Sequence, residues 1–268
     1  MMIKVGIIQF PILPGEIGIN EKNARDLVKK AAQAGAELVV LPELWNCGYD
    51  LAHLNKLAQN MHGSSVSLLR SLAQEYKIFI FGGSIGEKKN GSYYNTAVAL
   101  DARGFVAGKY RKIHLFPLGL EEDKYFAPGL EWGLIETPWG TAGLELCYDL
   151  RFPELMRNLV LRGARFVVIP AQWPAAREDH WVTLCRARAI ENQVYILACN
   201  RSGFDGKLKY AGRSMVISPW GEVIAQAGDE AGIITAEIDL NEVEKAREII
   251  PVWEDRCDLL DEIDHSQL

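Results

Sequence analysis

Apolar runs and amphipathic segments alternate along this chain. Ile3-Lys4-Val5-Gly6-Ile7-Ile8-Gln9-Phe10 reads as a strand over 3–10, and Leu27, Val28, Ala31 and Ala32 recur at helical spacing in a segment opening near Asn20. The continuous run Leu38-Val39-Val40-Leu41 reads as a buried strand that delivers Glu43. A second helix begins at Ser64 or Ser65, with Val66, Leu69, Leu72, Ala73 and Tyr76 on one face. Strand Ile78–Phe81 runs into Gly82-Gly83. A hairpin over about 95–100 and 105–111 turns at Asp101-Ala102-Arg103-Gly104, and its second arm delivers Lys112.

Residues 113–131 form a loop rich in Pro, Gly and acids, longer than a connection requires. A hairpin at Pro138-Trp139-Gly140 leads into strand 141–146, with Cys147 at its end. Pro153 suits the first turn of a helix over 153–162, and Gly163 stops it. Strand 166–170, helix 179–191, strand 194–199, a hairpin at Pro219-Trp220-Gly221, strand 232–238 and helix 241–249 follow. A tail from about 250 carries Pro251, Val252 and Trp253. No low-complexity linker divides the chain and no short repeat is evident, so one domain over 1–268 is expected. Alternating βα units mixed with hairpins imply a layered α/β domain, two packed sheets with helices outside.

At 268 residues and 49% hydrophobic, the chain can bury a substantial core. A formal charge of −6, with basic residues scattered among acidic ones, argues against a nucleic-acid partner. No apolar run approaches the roughly 20 residues that span a bilayer, and the first strand is too short for a signal peptide. The five cysteines (Cys47, Cys147, Cys185, Cys199, Cys257) form no Cys-x-x-Cys pair, which implies neither a disulfide framework nor a zinc cluster. A reducing, cytoplasmic location is expected.

Three strand-like runs end in Glu43, Lys112 and Cys147. A carboxylate, an ammonium and a thiol suffice for covalent acyl transfer without a catalytic histidine. Cys147 lies between a strand and a helix whose first turn has free N–H groups, a position expected to lower a thiol pKa. The other four cysteines read as small core residues. Glu43 stands where the chain leaves the core and a carboxylate can be partly desolvated, as suits a general base, although by sequence alone a surface glutamate at a turn is the stronger reading and Lys112 is an ordinary member of the run Lys109-Tyr110-Arg111-Lys112. Asp149 and Arg151 read as a structural ion pair. His114 beside the lysine suggests a Cys–His dyad, but five scattered histidines without His-x-x-x-His spacing support neither that nor a metal site.

The contexts of these residues resemble the nitrilase (carbon–nitrogen hydrolase) superfamily over essentially the whole chain. Leu41-Pro42-Glu43 is followed by Gly48-Tyr49. Tyr94-Asn95-Thr96-Ala97 precedes Arg111-Lys112-Ile113-His114-Leu115-Phe116, and Cys147 opens Cys-Tyr-Asp-Leu-Arg-Phe-Pro-Glu. The resemblance implies a four-layer α-β-β-α sandwich and a cofactor-free amidohydrolase. In it Glu43 would be the base, Cys147 the nucleophile, and Lys112 with the Tyr148 backbone N–H the oxyanion donors. Glu122, seven residues before Gly129, matches a second glutamate that positions substrate or lysine, with Glu121 as the competing assignment. Tyr148-Asp149 in place of Trp-Glu points toward amides rather than nitriles. Gln172-Trp173-Pro174 and Ile250-Pro251-Val252-Trp253 look most like ω-amidases acting on 2-oxoglutaramate-type substrates.

A short aliphatic amide with a distal carboxylate is therefore expected, met by Arg177 as cation, Tyr49 as hydrogen-bond donor and Trp173 as pocket wall. An N-carbamoyl or nitrile substrate, an acyltransferase and a non-catalytic metabolite-binding protein are the competing readings. Apolar residues beyond one stripe on the helices at 153–162 and 179–191 (Leu155, Met156, Leu159, Val160, Leu161; Trp181, Val182, Leu184), with the Val252–Trp253 tail, suggest a homodimer or larger assembly. Related enzymes associate through the corresponding helices.

Overall fold

The alternation of apolar runs and amphipathic helices builds two sheets and two helical layers. The structure, a computed structural model, describes residues 1–257; the rest of the tail lies outside the described residues. The first half holds β1 (Met2–Gln9), α1 (Ile17–Gln33), β2 (Leu38–Val40), α2 (Leu54–Leu57), α3 (Ser64–Tyr76), β3 (Phe79–Lys89), β4 (Ser92–Leu100) and β5 (Val106–Arg111). After α4 (Glu122–Tyr125) come β6 (Leu134–Thr137), β7 (Gly140–Leu144), α5 (Pro153–Leu161), β8 (Phe166–Ala171), α6 (Glu178–Asn192) and β9 (Tyr195–Asn200). The chain continues through β10 (Met215–Ile217), β11 (Val223–Gln226), β12 (Gly232–Asp239) and α7 (Asn241–Ile249).

Each sheet has six strands, in the orders β12-β1-β2-β3-β4-β5 and β11-β10-β9-β8-β7-β6. Parallel pairs β1/β2/β3 and β7/β8/β9 lie inside, with antiparallel strands on their flanks. One apolar cluster, including Val5, Ile7, Val40, Leu144, Val168 and Leu197, fills the space between the sheets. α1 and α3 cover the outer face of the first sheet through Val28, Ala31, Leu69 and Leu72. α5 and α6 cover the second through Met156, Leu159, Trp181 and Cys185. The result is the α-β-β-α sandwich.

The two halves repeat each other, which a search for short repeats does not detect. Leu38-Val39-Val40-Leu41-Pro42-Glu43-Leu44-Trp45 leaves β2 as Phe166-Val167-Val168-Ile169-Pro170-Ala171-Gln172-Trp173 leaves β8. Val39 and Val167 hold equivalent registers, against Gly6 and Ile80 in one sheet and Gly143 and Ile196 in the other. The two chain exits therefore face one another across the sandwich.

Several expectations need correction. The strand read as 78–81 continues through Gly82-Gly83 to Lys89 and forms a hairpin with β4 at Asn90-Gly91, where φ is 51° and 84°. Asn-Gly is a strong hairpin signal because both central residues require positive φ. Leu155, Met156, Leu159, Val160 and Trp181, read as apolar excess for a partner, are buried in their own chain. Trp253 likewise rests on its own chain, its ring near the guanidinium groups of Arg157 and Arg247. Among the described residues no helix is long and apolar enough to cross a membrane.

Candidate active site

Glu43 follows β2 at a place where β3 is forced close. Gly83 has φ 58°, and a Cβ there would meet the Pro42 carbonyl at 1.9 Å, so glycine alone fits. The Ser84 hydroxyl then accepts the Leu44 N–H at 2.8 Å, pinning the turn after Glu43. Lys112 follows β5, its backbone N–H donating to the Asn95 carbonyl at 2.9 Å. Cys147 follows β7 with φ 47°, a strained conformation for a side chain other than glycine, and opens a 3₁₀ turn over Cys147–Arg151.

Asp149 holds that turn. Its carboxylate accepts from the Leu146 N–H (3.0 Å), the Tyr110 hydroxyl (2.8 Å) and the His114 N–H (2.9 Å), and meets His114 Nδ1 at 2.7 Å. The expected Asp149–Arg151 ion pair does not form. Arg151 instead lies over the Trp173 ring, 4.7 Å from its centroid, and reaches His180 Nδ1 at 3.3 Å. His114, stacked on Phe152 and bound to Asp149, is committed to the turn.

The turn, β5 and β2 converge on a buried ionic cluster. Lys112 Nζ donates to Glu43 Oε1 at 2.8 Å and to Glu122 Oε2 at 2.7 Å, with all three side chains wholly buried. Asn95 Nδ2 bridges Glu43 Oε1 (2.9 Å) and Glu122 Oε1 (3.2 Å), and the Tyr49 hydroxyl donates to Glu122 Oε1 at 3.1 Å. The Phe116 N–H adds a bond to Glu122 Oε2 at 2.7 Å, and the Gln172 N–H one to Glu43 Oε2 at 3.1 Å. Glu121, by contrast, faces solvent and pairs with Lys124. Of the two glutamates weighed for this loop, Glu122 is the one bonded to Lys112.

Burial disfavours the charge on Lys112, but Glu122 and Glu43 outweigh it and hold the lysine pKa above its ordinary value. Glu122 is raised, by burial and by the nearby Glu43 charge, against the pull of Lys112. One cation between two carboxylates leaves surplus negative charge, which favours retention of a proton there.

Cys147 departs from expectation. Burial and then the Glu43 carboxylate push its thiol well above the ordinary value, with Lys112 and the Gln172 N–H pulling only partly back. α5 begins at Pro153, as the sequence implies, and the 3₁₀ turn over Cys147–Arg151 separates its first turn from the sulfur. Packing around Cys147 thus favours the neutral thiol over the thiolate.

A cavity of about 900 Å³ opens beside this cluster, walled by Tyr49, Cys147, Tyr148, Gln172 and Trp173. Three cations, Arg151, Arg177 and Lys207, line it. Asp50, Glu121 and Asp205 on the same wall are engaged by His53, by Lys124, and by Tyr210 with two backbone N–H groups. Arg151 is half-buried, whereas Arg177 is exposed at the rim. Trp173 is both wall and core, donating Nε1–H to the Arg177 carbonyl at 2.7 Å. Among the described residues no group of three or more His, Cys, Asp or Glu side chains is placed to hold a metal ion.

Asn95, Gln172 and Arg201 join the site without having been assigned roles from sequence. Asn95 and Gln172 stand inside quoted motifs, and the antiparallel register that sets Asn95 beside Lys112 was the available signal. Arg201 had none.

The sequence profile described as "Carbon-nitrogen hydrolase" matches residues 4–248. The chain is 42% identical to a 2-oxoglutaramate amidase of Bacillus subtilis, over 94% of this chain and 96% of that protein. It is 37% identical to an omega-amidase of Xenopus laevis, over 96% of both chains. The crystal structure of a carbon-nitrogen hydrolase from Helicobacter pylori superposes with a TM-score of 0.91 at 29% identity, covering 97% of this chain and 99% of that one.

Proposed function

The chain belongs to the carbon–nitrogen hydrolase family and is an amide-cleaving enzyme of the nitrilase superfamily, and on that premise we propose that Glu43, Lys112 and Cys147 carry its catalysis. The observation behind this reading is the buried Glu43–Lys112–Glu122 cluster, bonded to Tyr49 and Gln172, which line the same cavity as Cys147. Lys112 and Asn95 both bond Glu43 Oε1, which leaves Oε2 with the Gln172 N–H alone. In this reading Oε2 takes the thiol proton.

The sulfur attacks the amide carbon as Glu43 accepts that proton. Lys112, with one N–H beyond its two carboxylate bonds, and the Tyr148 N–H hold the oxyanion. Glu43 returns the proton to nitrogen as the C–N bond breaks, releasing ammonia and leaving a Cys147 thioester. Water then gives its proton to Glu43, attacks the thioester, and frees the carboxylic acid and the thiol. Glu122, bonded to Lys112, Tyr49 and Asn95, keeps the lysine in place.

The substrate is a small linear amide with an anionic far end, of the ω-amide type. Three cations on the cavity wall without an acidic partner, beside three acids that are each already engaged, support this, as do the relatives' names. Arg151, set over Trp173, and Arg177 at the rim are the carboxylate's partners, with Tyr49 and Trp173 shaping the wall. The whole of 1–268 acts as one domain in a reducing, cytoplasmic setting. It assembles as a homodimer through the faces around Leu161 and Ile190, which are 45% and 50% exposed. Intact-mass measurement during turnover of an ω-amide tests the chemistry. An acyl adduct is expected on the wild type and none on Cys147→Ala, which also loses turnover; turnover by Cys147→Ala refutes it. Light scattering showing a monomer refutes the dimer.

A further inference from the structure

Arg201 follows β9 and is wholly buried, yet it makes no close ion pair. The acid within reach, Asp205 Oδ2, lies 3.9 Å away, beyond hydrogen-bond distance. Its donors go to neutral acceptors: Gln172 Oε1 at 2.8 Å, the Ile12 carbonyl at 2.6 Å and the Ser202 carbonyl at 3.4 Å. The guanidinium plane also covers the Tyr210 ring, 3.9 Å from its centroid. A buried cation carries a large desolvation cost unless it is paired, so a buried arginine of this kind calls for a reason beyond packing.

Gln172 supplies the reason. Its side-chain Nε2 donates to the Glu43 carbonyl at 2.8 Å and its backbone N–H to Glu43 Oε2 at 3.1 Å, and Gln172 shares the cavity wall with Cys147. An amide side chain has two ends of similar shape, and its partners decide which way it points. Arginine only donates, so it admits the Gln172 oxygen and excludes the NH₂. A flipped amide would set NH₂ against the guanidinium and oxygen against the Glu43 carbonyl.

We infer that Arg201 is a positioning residue that acts through Gln172 to hold Glu43 Oε2 against Cys147. This rests on the proposed roles of Glu43 and Cys147. The charged and titratable groups facing the guanidinium are Asp205, Tyr210 and Tyr49. None stands between it and Gln172, with which it bonds directly.

The test uses purified full-length Arg201→Met, Arg201→Lys, Gln172→Leu and the Arg201→Met/Gln172→Leu double variant, with Cys147→Ala and Glu43→Gln alongside. The readouts are kcat, KM, melting temperature and the rate of Cys147 alkylation by iodoacetamide at neutral pH. A misplaced base costs on the order of 10²-fold. Arg201→Met and Gln172→Leu are each expected to lower kcat by about 30- to 100-fold, with KM little changed and alkylation slowed in parallel. Arg201→Lys keeps one donor and should fall between. Residues acting as a unit are non-additive, so the double variant should be no worse than the worse single one. A purely structural arginine would shift melting temperature and leave alkylation unchanged. Near-normal kcat in folded Arg201→Met, a rise in KM alone, or multiplying losses in the double variant would overturn the inference. If Arg201→Met does not fold, normal kcat and alkylation in Gln172→Leu overturns it. Activity retained by Cys147→Ala or Glu43→Gln would instead sink the underlying functional reading.

Discussion

Replacing Glu145 with methionine should stabilise this enzyme, because Glu145 is a buried acid without a partner. Leu144 and Leu146 point into the space between the sheets, so strand alternation turns Glu145 toward Cys185 and Arg188 of α6. It is fully buried, and neither carboxyl oxygen has a hydrogen-bond partner among the described residues. Burial, reinforced by Asp149 and opposed by Arg188, holds its pKa well above the ordinary 4.5. Arg188 does not depend on it: Nη1 pairs with Glu191 at 2.9 Å and Nη2 donates to the Leu150 carbonyl at 2.9 Å. Methionine fills a similar volume and leaves no orphaned cation.

Removing an unsatisfied buried polar group gains about 1–3 kcal/mol, here taken as about 2. At this chain length that corresponds to about 4–8 °C in melting temperature. The sign with pH follows from a folded-state pKa raised above the unfolded one. Below pH 4.5 the wild type carries only the cost of the unsatisfied neutral carboxyl, and the further cost of the raised pKa is incurred as pH rises through the folded value, so the variant's advantage should grow toward alkaline pH. Calorimetric unfolding of both proteins near pH 8 and again near pH 4.5 measures this. A variant less stable near pH 8, or a gain that grows toward acid, would show that Glu145 is ionised and paired.

Glu43→Gln and Lys112→Ala should each lower kcat by about 100-fold or more, on the order of 3 kcal/mol of transition-state stabilisation, measured as ammonia release. Glu122→Gln should impair turnover clearly, whereas Glu121→Gln, exposed and bonded only to Lys124, should leave kcat near wild type; the reverse order would refute the buried-cluster assignment. Because burial and Glu43 raise the Cys147 thiol above its ordinary 9.0, iodoacetamide alkylation without substrate should keep climbing with pH and show no plateau by pH 9. A plateau near neutrality would reveal a resting thiolate. Methyl-esterifying the distal carboxylate of an ω-amide should cost about 10- to 100-fold in kcat/KM, and Arg151→Met should erase that difference between acid and ester.

Much of the architecture was legible because it rests on short-range rules. Period-2 and period-3.6 apolar spacing, Pro153 at a helix start and Gly163 at its end place most strands and helices within a few residues of where they lie. The candidate chemistry was marked by the resemblance of the segments around Glu43, Lys112 and Cys147 to the nitrilase superfamily; by position alone Glu43 reads as a surface residue at a turn and Lys112 as part of an ordinary basic run. What the sequence could not contain was the long-range geometry. Glu43 meets Gln172 only because the β2 and β8 exits face each other across the sandwich, 129 residues apart in the chain. The choice of Glu122 over Glu121 required the Phe116 N–H and Lys112 to converge on one carboxylate. The Cys147 pKa went the opposite way from expectation because burial and a nearby carboxylate exceed any N–H contribution, and both are properties of packing. Most of the apolar excess on α5 and α6 packs into this chain's own core, with Leu161 left exposed. Local periodicity is written residue by residue, but desolvation and the pairing of buried charges depend on which distant segments pack together, and only the tertiary structure decides that.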